Sequence, residues 1–256
     1  MTKLRTKELC LTIGETWISN HLSINFESGQ NWAILGPNGS GKTTLLMTLA
    51  GLHSAQKGQV RLNDQAIAHL PIRERARQLG ILFQGTDDTF PSTVIDTVMM
   101  GRHPHINPWR WEDQDDRDLA TASLAAVGLE KFKQRQLDTL SGGERRRVAI
   151  ACLLTQDPPV CLLDEPTNHL DIRHQLDVLA HFSTRSQQPG HLNIMVLHDV
   201  NLALRYCSHA MLLYGHGVIE HGPLAKVIST ARLEKLYQCP IRKLQDSNGT
   251  AYLPAT

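Results

Sequence analysis

Gly36-Pro37-Asn38-Gly39-Ser40-Gly41-Lys42-Thr43 is the most informative stretch of this chain. Its spacing is G-x-x-x-x-G-K-[ST], and it lies between apolar runs at 32–35 and 45–50. That order predicts a strand, a glycine-rich turn and a helix, as in a phosphate-binding loop. Glycines are required because backbone N–H groups can close around a phosphate only where no Cβ intervenes.

Two side chains in this stretch indicate how a nucleotide would be held. Lys42 can reach the β- and γ-phosphates, and the Thr43 hydroxyl can coordinate Mg²⁺. The helix predicted after the turn, ended by Gly51, directs its positive end at the same anion. A plain glycine-rich turn before an ordinary helix is the alternative, but it would not need Lys-Thr at this offset.

Composition limits the remaining possibilities. The chain has 256 residues, 41% apolar and 20% charged, which suits one large α/β domain. A net charge of +1 and few aromatic residues argue against a nucleic-acid partner. The five cysteines form no C-x-x-C pair, which favours a reducing compartment. The basic N-terminus lacks a following apolar region, so we expect no signal peptide.

Alternating residues at 7–13 and 21–26 predict two strands of an antiparallel sheet. Trp17 lies between them and could either stack on an adenine ring or pack on the sheet. Further along, 80–83 predicts a short buried strand with Gln84 at its carboxyl end, where ligand sites of α/β sheets gather. Gln84 could therefore reach Mg²⁺ or an attacking water, or be an ordinary loop residue.

A continuous apolar run at 160–163 ends in Asp164 and Glu165, and predicts a strand buried on both faces. Adjacent strand residues point to opposite sides, so one carboxylate could join a Mg²⁺ shell while the other faces a nucleophilic water. A second buried strand is predicted at 192–197, and His198 follows it at the same edge. His198 could contact a γ-phosphate, although a lone histidine in such a place is often structural.

The region 85–139 differs in composition from the sequence around it and predicts an inserted helical block, with helices at 94–100 and 113–127. Leu140-Ser141-Gly142-Gly143-Glu144 then opens another helix. Ser141, Gly142 and Gly143 offer an anion site at its N-terminus, and Ser141 with Glu144 also fits a capping box. The arginines at 145–147 predict a solvated helix face. A helical tail is expected at 223–238 and a closing hairpin around 247–250.

Taken together, these motifs resemble an ATP-binding cassette (ABC) ATPase over nearly the whole chain. The resemblance implies one nucleotide-binding domain, 1–256, in the α/β class. It has a phosphate-loop NTPase core with a mixed, mostly parallel sheet, an antiparallel β subdomain and an inserted α-helical subdomain at about 85–156. A C-terminal helix and tail follow at about 223–256.

The same resemblance implies roles for individual residues. The loop 36–43 with Thr44 binds ATP, and Thr43, Gln84 and Asp164 hold Mg²⁺. Glu165 is the catalytic base, assisted by Lys42, Gln84 and His198, and 168–171 form the D-loop. Two copies meet head to tail, with each ATP between one phosphate loop and the partner's Ser141-Gly142-Gly143.

Phe90-Pro91-Ser92-Thr93-Val94 and Gly101-Arg102-His103-Pro104-His105 are similar to ATPase subunits of importers for iron–siderophores, haem and cobalamin. That implies membrane permease subunits, a substrate-binding protein and a peripheral place at the cytoplasmic face of the inner membrane. A soluble ABC ATPase, such as one for iron–sulfur cluster assembly, is the alternative. Arg146 stands where many members have glutamine, a departure from which we expect little consequence. The usual adenine-stacking aromatic would align nearer Ile13, so Trp17 is only a candidate.

Overall fold

The computed structural model describes residues 2–85, 91–107, 112–246 and 249–255. It forms two compact units, one of 1–70 with 182–256 and one of 71–181, called here the first and second unit. Phe90 of the importer-like motif and the turn residues 247–248 lie outside the described residues. No helix within these ranges is long and apolar enough to cross a membrane.

Strands and helices are interspersed along the chain, as expected of the α/β class. The strands of the described residues are β1 (Lys3–Ile13), β2 (Thr16–Glu27), β3 (Asn31–Leu35), β4 (Lys57–Leu62), β5 (Gln65–Ala66), β6 (Leu79–Leu82), β7 (Val160–Asp164), β8 (Leu192–Val196), β9 (His209–Gly215), β10 (Val218–Pro223), β11 (Ile241–Asp246) and β12 (Gly249–Pro254). The helices are α1 (Lys42–Leu49), α2 (Ile72–Gln78), α3 (Val94–Met99), α4 (Gln114–Ala126), α5 (Gly142–Gln156), α6 (Ile172–Ser186), α7 (Val200–Tyr206), α8 (Leu224–Val227) and α9 (Thr230–Tyr237).

The core sheet of the first unit is mixed and mostly parallel, as predicted. β3 pairs in parallel with β8 on one side and β9 on the other, and β10 joins β9 antiparallel through the turn at 215–217. Every residue of β3 and β8 is buried, which is typical of parallel strands covered on both faces. The helix α1 follows β3 directly, so the phosphate loop begins at the carboxyl end of a central strand.

An antiparallel sheet in the order β2-β1-β4-β5 forms the rest of this unit's N-terminal half, again as predicted. β1 and β2 are longer than the sequence patterns indicated, and they are joined by a short turn at Gly14–Glu15. Trp17 was expected between the two strands, but it lies in β2 and pairs with Thr12 of β1. The strand extends because β-bulges let pairing continue beyond the strictly alternating residues.

The C-terminal part differs from one prediction. The single helical tail expected at 223–238 is two short helices, α8 and α9. Ser229 separates them with an extended backbone, and its hydroxyl accepts a hydrogen bond from the Arg232 N–H to cap α9. The closing hairpin is confirmed, because β11 and β12 pair antiparallel, and Asn201 of α7 exchanges hydrogen bonds with the Tyr252 backbone.

In the second unit, β6 and β7 pair in parallel, and α3, α4 and α5 pack on one another. Two glycines allow other segments of this unit to approach α5 closely. A Cβ at Gly101 would collide with the Cys152 carbonyl of α5, and a Cβ at Gly80 of β6 would meet the Leu153 side chain. The helical block predicted from sequence is therefore tied to the long helix that carries the Leu-Ser-Gly-Gly-Glu motif.

A mostly buried ion pair links the importer-like segment to α4. Arg102 Nε lies 2.6 Å from Asp116 Oδ1, and Asp116 also closes a capping box with Asp113. Burial opposes ionisation of Asp116, but the hydrogen bonds from Arg102 and from the Asp113 backbone outweigh it and lower its pKa. This contribution to stability is present above the ordinary carboxyl pKa of about 4 and is lost as the pH falls below it.

We predict that Asp116→Ala lowers the free energy of unfolding by about 2–4 kcal/mol, because Arg102 loses its partner and α4 loses its cap. The control is Asp115→Ala, which removes an exposed carboxylate from the same helical turn. Urea unfolding at pH 7 measures both variants. Equal stability of the two variants would contradict the structural role of Asp116.

Candidate functional site

The phosphate loop has the backbone that its glycines predict. Gly39 and Gly41 have φ of 80° and 91°, in the left-handed region where other residues are strained. Gly41 is the N-cap of α1, which begins at Lys42. The helix's first N–H groups therefore face the loop, which gives an N-terminal anion site. The other predicted binding residues here are Pro37, Asn38, Thr43 and Thr44.

Two of the glycines are also required by packing. A Cβ at Gly36 would lie 2.6 Å from the Leu213 carbonyl oxygen of β9, and a Cβ at Gly41 would lie 2.5 Å from the Ile18 side chain of β2. Both distances are shorter than atoms tolerate. The loop is thus fixed from both sides by the sheets of its own unit, before any ligand binds.

Buried polar groups inside the loop fit a phosphate. The Lys42 side chain is buried, and its Nζ donates hydrogen bonds to the carbonyls of Gly36 and Pro37, each at 2.9 Å. The Ser40 hydroxyl is buried without a hydrogen-bond partner among the described residues. Burying an ammonium and a hydroxyl is costly, and an anion in the loop would offset that cost.

His198 follows β8 as predicted. The N–H of Leu197 donates to the Ile34 carbonyl of β3 at 3.1 Å, so β3 and β8 end side by side. The phosphate loop and His198 therefore leave the same edge of one sheet. The His198 side chain is exposed, and Asp199 caps the next helix by accepting a hydrogen bond from the Asn201 N–H.

Trp17 stands on the β1–β2 hairpin of the same unit. Its side chain is 44% exposed, and Ile13 on the paired strand is 50% exposed. The next residue, Ile18, is buried against Gly41 of the phosphate loop. Trp17 and the position at Ile13, where the usual aromatic would align, thus both belong to the hairpin that contacts the loop, and the assignment of Trp17 stays a prediction.

In the second unit, two amides hold the carboxylate of Glu165. The Gln84 Nε2 donates to Glu165 Oε2 at 3.0 Å, and the Asn168 Nδ2 donates to the same oxygen. Glu165 is almost fully buried. Gln84 and Glu165 were expected at the ends of two strands, and the structure brings their side chains together. The Asn168 side chain was not expected as a partner.

The backbone at Glu165 differs from the expectation. Asp164 is the last residue of β7 and is fully buried, but Glu165 lies beyond the strand with φ of +48°. The alternation of strand side chains therefore does not place Glu165. A residue other than glycine in the left-handed region is uncommon, and such conformations are concentrated at functional sites.

Arg146 is the largest departure from the sequence analysis. It was expected on a solvated face with little consequence, but it is only 4% exposed. Its guanidinium donates hydrogen bonds to the carbonyls of Phe83, Gln84, Asp164 and Glu165. Burial lowers the pKa of Arg146, partly offset by the two carboxylates. The sequence could have indicated this burial, because Arg146 shares a helix face with the apolar residues that follow it three and four positions later.

The Leu-Ser-Gly-Gly-Glu motif opens α5 as predicted. The Ser141 hydroxyl accepts from the Glu144 N–H at 3.3 Å, and Glu144 Oε2 accepts from the Ser141 N–H at 2.8 Å, which confirms the capping box. The N–H groups of Gly142 and Gly143 lie outside that box. Gly142 has open space around it, whereas a Cβ at Gly143 would lie 2.7 Å from the His169 carbonyl.

Comparison with protein families and curated proteins gives a consistent result. Residues 19–168, more than half of the chain, match the family described as ABC transporter. The ferric enterobactin transport ATP-binding protein FepC of Escherichia coli (strain K12) is 36% identical over 93% of this chain and 88% of that protein. A hemin import ATP-binding protein, HmuV of Rhodopseudomonas palustris (strain BisA53), is 33% identical over 98% and 93%.

Solved structures agree with these sequence matches. A metal-chelate type ABC transporter in an inward-facing conformation superposes with a TM-score of 0.86 at 25% identity, covering 100% of this chain and 98% of the other. A dimeric bacterial ABC transporter cassette superposes with a TM-score of 0.77 at 26% identity, covering 86% and 98%. The predicted phosphate-loop NTPase fold is therefore confirmed.

We predict that Lys42→Ala weakens ATP binding about 10- to 100-fold, the loss expected for charge-assisted hydrogen bonds to phosphate. Lys57→Ala, at an exposed lysine of β4 in the same unit, is the matched control. Fluorescence titration with a labelled ATP analogue gives both dissociation constants. Unchanged affinity of the Lys42 variant would contradict the phosphate-loop assignment.

Proposed function

The chain belongs to the ABC transporter family, and we propose that it is the ATP-hydrolysing subunit of an importer for iron–siderophore, haem or cobalamin. The observation that carries the ATPase assignment is the pair of anion sites on one chain, the loop 36–43 and the start of α5. The importer assignment is supported by relatives named for ferric enterobactin transport and hemin import, which match over more than nine-tenths of this chain.

ATP is held mainly by the phosphate loop. Backbone N–H groups of 36–43 and the N-terminus of α1 surround its phosphates, and Lys42 neutralises charge on the β- and γ-groups. Thr44, in the first turn of α1, is also proposed to bind ATP, and Trp17 is the proposed adenine contact. Mg²⁺ would be held by the Thr43 hydroxyl, Asp164 and Gln84, oxygen ligands of the kind it prefers. Bound there, Mg²⁺ would neutralise the charge that develops on the phosphates.

Glu165 is the proposed general base. Its carboxylate accepts two amide hydrogen bonds, from Gln84 and Asn168, which fix its orientation without supplying a proton. From that position it can take the proton of a water as the water attacks the γ-phosphorus and the bond to ADP breaks. His198 is the proposed contact to the γ-phosphate, and Lys42 stabilises the charge that spreads over its oxygens.

Hydrolysis requires a second copy of the chain. The N–H groups of Gly142 and Gly143 are directed away from their own helix, outside the Ser141 capping box. We propose that they bind the γ-phosphate of an ATP held by the partner's phosphate loop, so that each ATP lies between two chains. The dimeric cassette among the solved structures supports the dimerisation that this arrangement requires. ATP binding then closes the dimer, and loss of the γ-phosphate opens it.

The proposed partners follow from the importer assignment. They are integral membrane permease subunits, which would contact the helical subdomain at about 85–156, and a substrate-binding protein that delivers the cargo. The chain itself would lie at the cytoplasmic face of the inner membrane as a peripheral subunit. Its net charge of +1 gives no support for a nucleic-acid partner.

Affinity purification from native membranes tests the importer assignment. Glu165→Gln is expected to abolish ATP turnover but keep ATP binding, because the amide has nearly the shape of the carboxylate and cannot accept the proton. Tagged Glu165→Gln protein is expected to copurify with a polytopic permease in Mg-ATP, identified by mass spectrometry.

Two controls accompany that experiment. The double variant Lys42→Ala/Glu165→Gln, which should bind ATP about 10- to 100-fold more weakly, separates nucleotide-dependent partners from background. Glu165→Gln protein purified without added nucleotide provides the same comparison. Recovery of soluble partners alone would contradict the importer assignment and favour a soluble ABC ATPase, such as one for iron–sulfur cluster assembly. Wild-type turnover by Glu165→Gln would contradict the role of the base.

A further inference from the structure

Arg146 is a buried cation whose two terminal nitrogens donate hydrogen bonds to main-chain carbonyls. It lies in the second turn of α5, four residues after the exposed Gly142, yet its side chain is 4% exposed. A guanidinium has five N–H donors in a planar fork, so it can bind several acceptors in a fixed geometry. The contacts of this fork connect two segments that the proposed chemistry uses.

Each terminal nitrogen of the fork bridges two neighbouring residues. Nη1 donates to the carbonyl of Phe83 and lies 3.5 Å from that of Gln84. Nη2 donates to the carbonyl of Asp164 and, at 2.8 Å, to that of Glu165. One side chain therefore holds both the segment that carries Gln84 and the segment that carries Glu165.

The position of these carbonyls explains why the fork matters. Leu82 of β6 pairs with Leu163 of β7 in the last step of the parallel ladder. The four carbonyls belong to the residues immediately after that step, where regular strand pairing ends. Arg146 thus connects the two segments that follow the last paired residues of β6 and β7. Glu165, in one of these segments, has a left-handed backbone.

The side chains of Gln84 and Glu165, one from each of these segments, are in contact. Gln84 Nε2 donates to Glu165 Oε2 at 3.0 Å, so a shift of either backbone would change the orientation of the carboxylate. Misplacing a catalytic group by about 1 Å can cost up to a hundredfold in rate. A buried arginine that contributed only to packing would have no need to reach both carbonyl pairs.

We propose that Arg146 is a positioning residue for ATP hydrolysis, which fixes the Gln84 and Glu165 segments relative to each other. This inference rests on the proposed function, because it concerns how the proposed base is held. Glutamine at this position would carry one NH₂ group on a shorter side chain, and it would not bridge both carbonyl pairs as the fork does.

Steady-state ATPase kinetics of the full chain test the proposal. Arg146→Met keeps an unbranched apolar stem and removes every donor, and Arg146→Lys keeps the charge without the fork. We expect Arg146→Met to lower kcat about 10- to 100-fold while the ATP dissociation constant stays within about twofold. Arg146→Lys should recover part of kcat. Arg173→Met, at an arginine of α6 whose side chain is 88% exposed, should behave as wild type.

A double-mutant cycle distinguishes positioning from a structural role. If Arg146 acts through the Gln84 segment, Gln84→Ala should lower kcat much less in the Arg146→Met background than in the wild type. Independent multiplication of the two effects, or unchanged kcat in Arg146→Met, would overturn the proposal. If Arg146→Met does not fold, the same cycle is run with Arg146→Lys. Absence of turnover by the wild-type chain would instead contradict the proposed function.

Discussion

The binding of a multiply charged phosphate by backbone N–H groups is the constraint on which this structure depends. A backbone can approach an anion that closely only where side chains are absent, and the glycines of 36–43 meet that need. The same glycines let β2 and β9 press against the loop, through Ile18 and the Leu213 carbonyl. The sheets of the first unit thus serve to hold one turn in its ligand-binding shape.

The N-terminus of α5 is a second place where backbone N–H groups are exposed, but no glycine-rich loop surrounds it. At α5, the Ser141–Glu144 capping box satisfies two N–H groups and leaves those of Gly142 and Gly143 outside it. In the proposed function, one chain therefore offers two anion sites, the phosphate loop 36–43 and the exposed start of α5 at 141–143, called here the shallow site. In the account proposed here the shallow site acts on a phosphate bound by another copy, which makes the γ-phosphate itself the link between two chains.

Local patterns were sufficient to predict most of the fold. The phosphate loop, the buried strands and the capping box each depend on neighbours in sequence, so their residues indicated them directly. Glu165 and Arg146 bind partners in distant segments. Helical periodicity could indicate that Arg146 is buried, but it does not identify those partners. The strand pattern could not indicate that β7 stops one residue before Glu165, and a run of three arginines concealed one that is buried. The interruption of the predicted helix at Ser229 was missed as well, because the composition around it is typical of one continuous helix.

Sedimentation equilibrium of the Glu165→Gln chain tests the central claim most directly, that ATP completes a site shared by two copies. The account predicts a monomer without nucleotide and a dimer in Mg-ATP. It also predicts that adding Ser141→Arg, which fills the shallow anion site, restores the monomer while ATP binding persists. A chain that stays monomeric with bound ATP, or a dimer that forms equally without ATP or with Ser141→Arg, would contradict it.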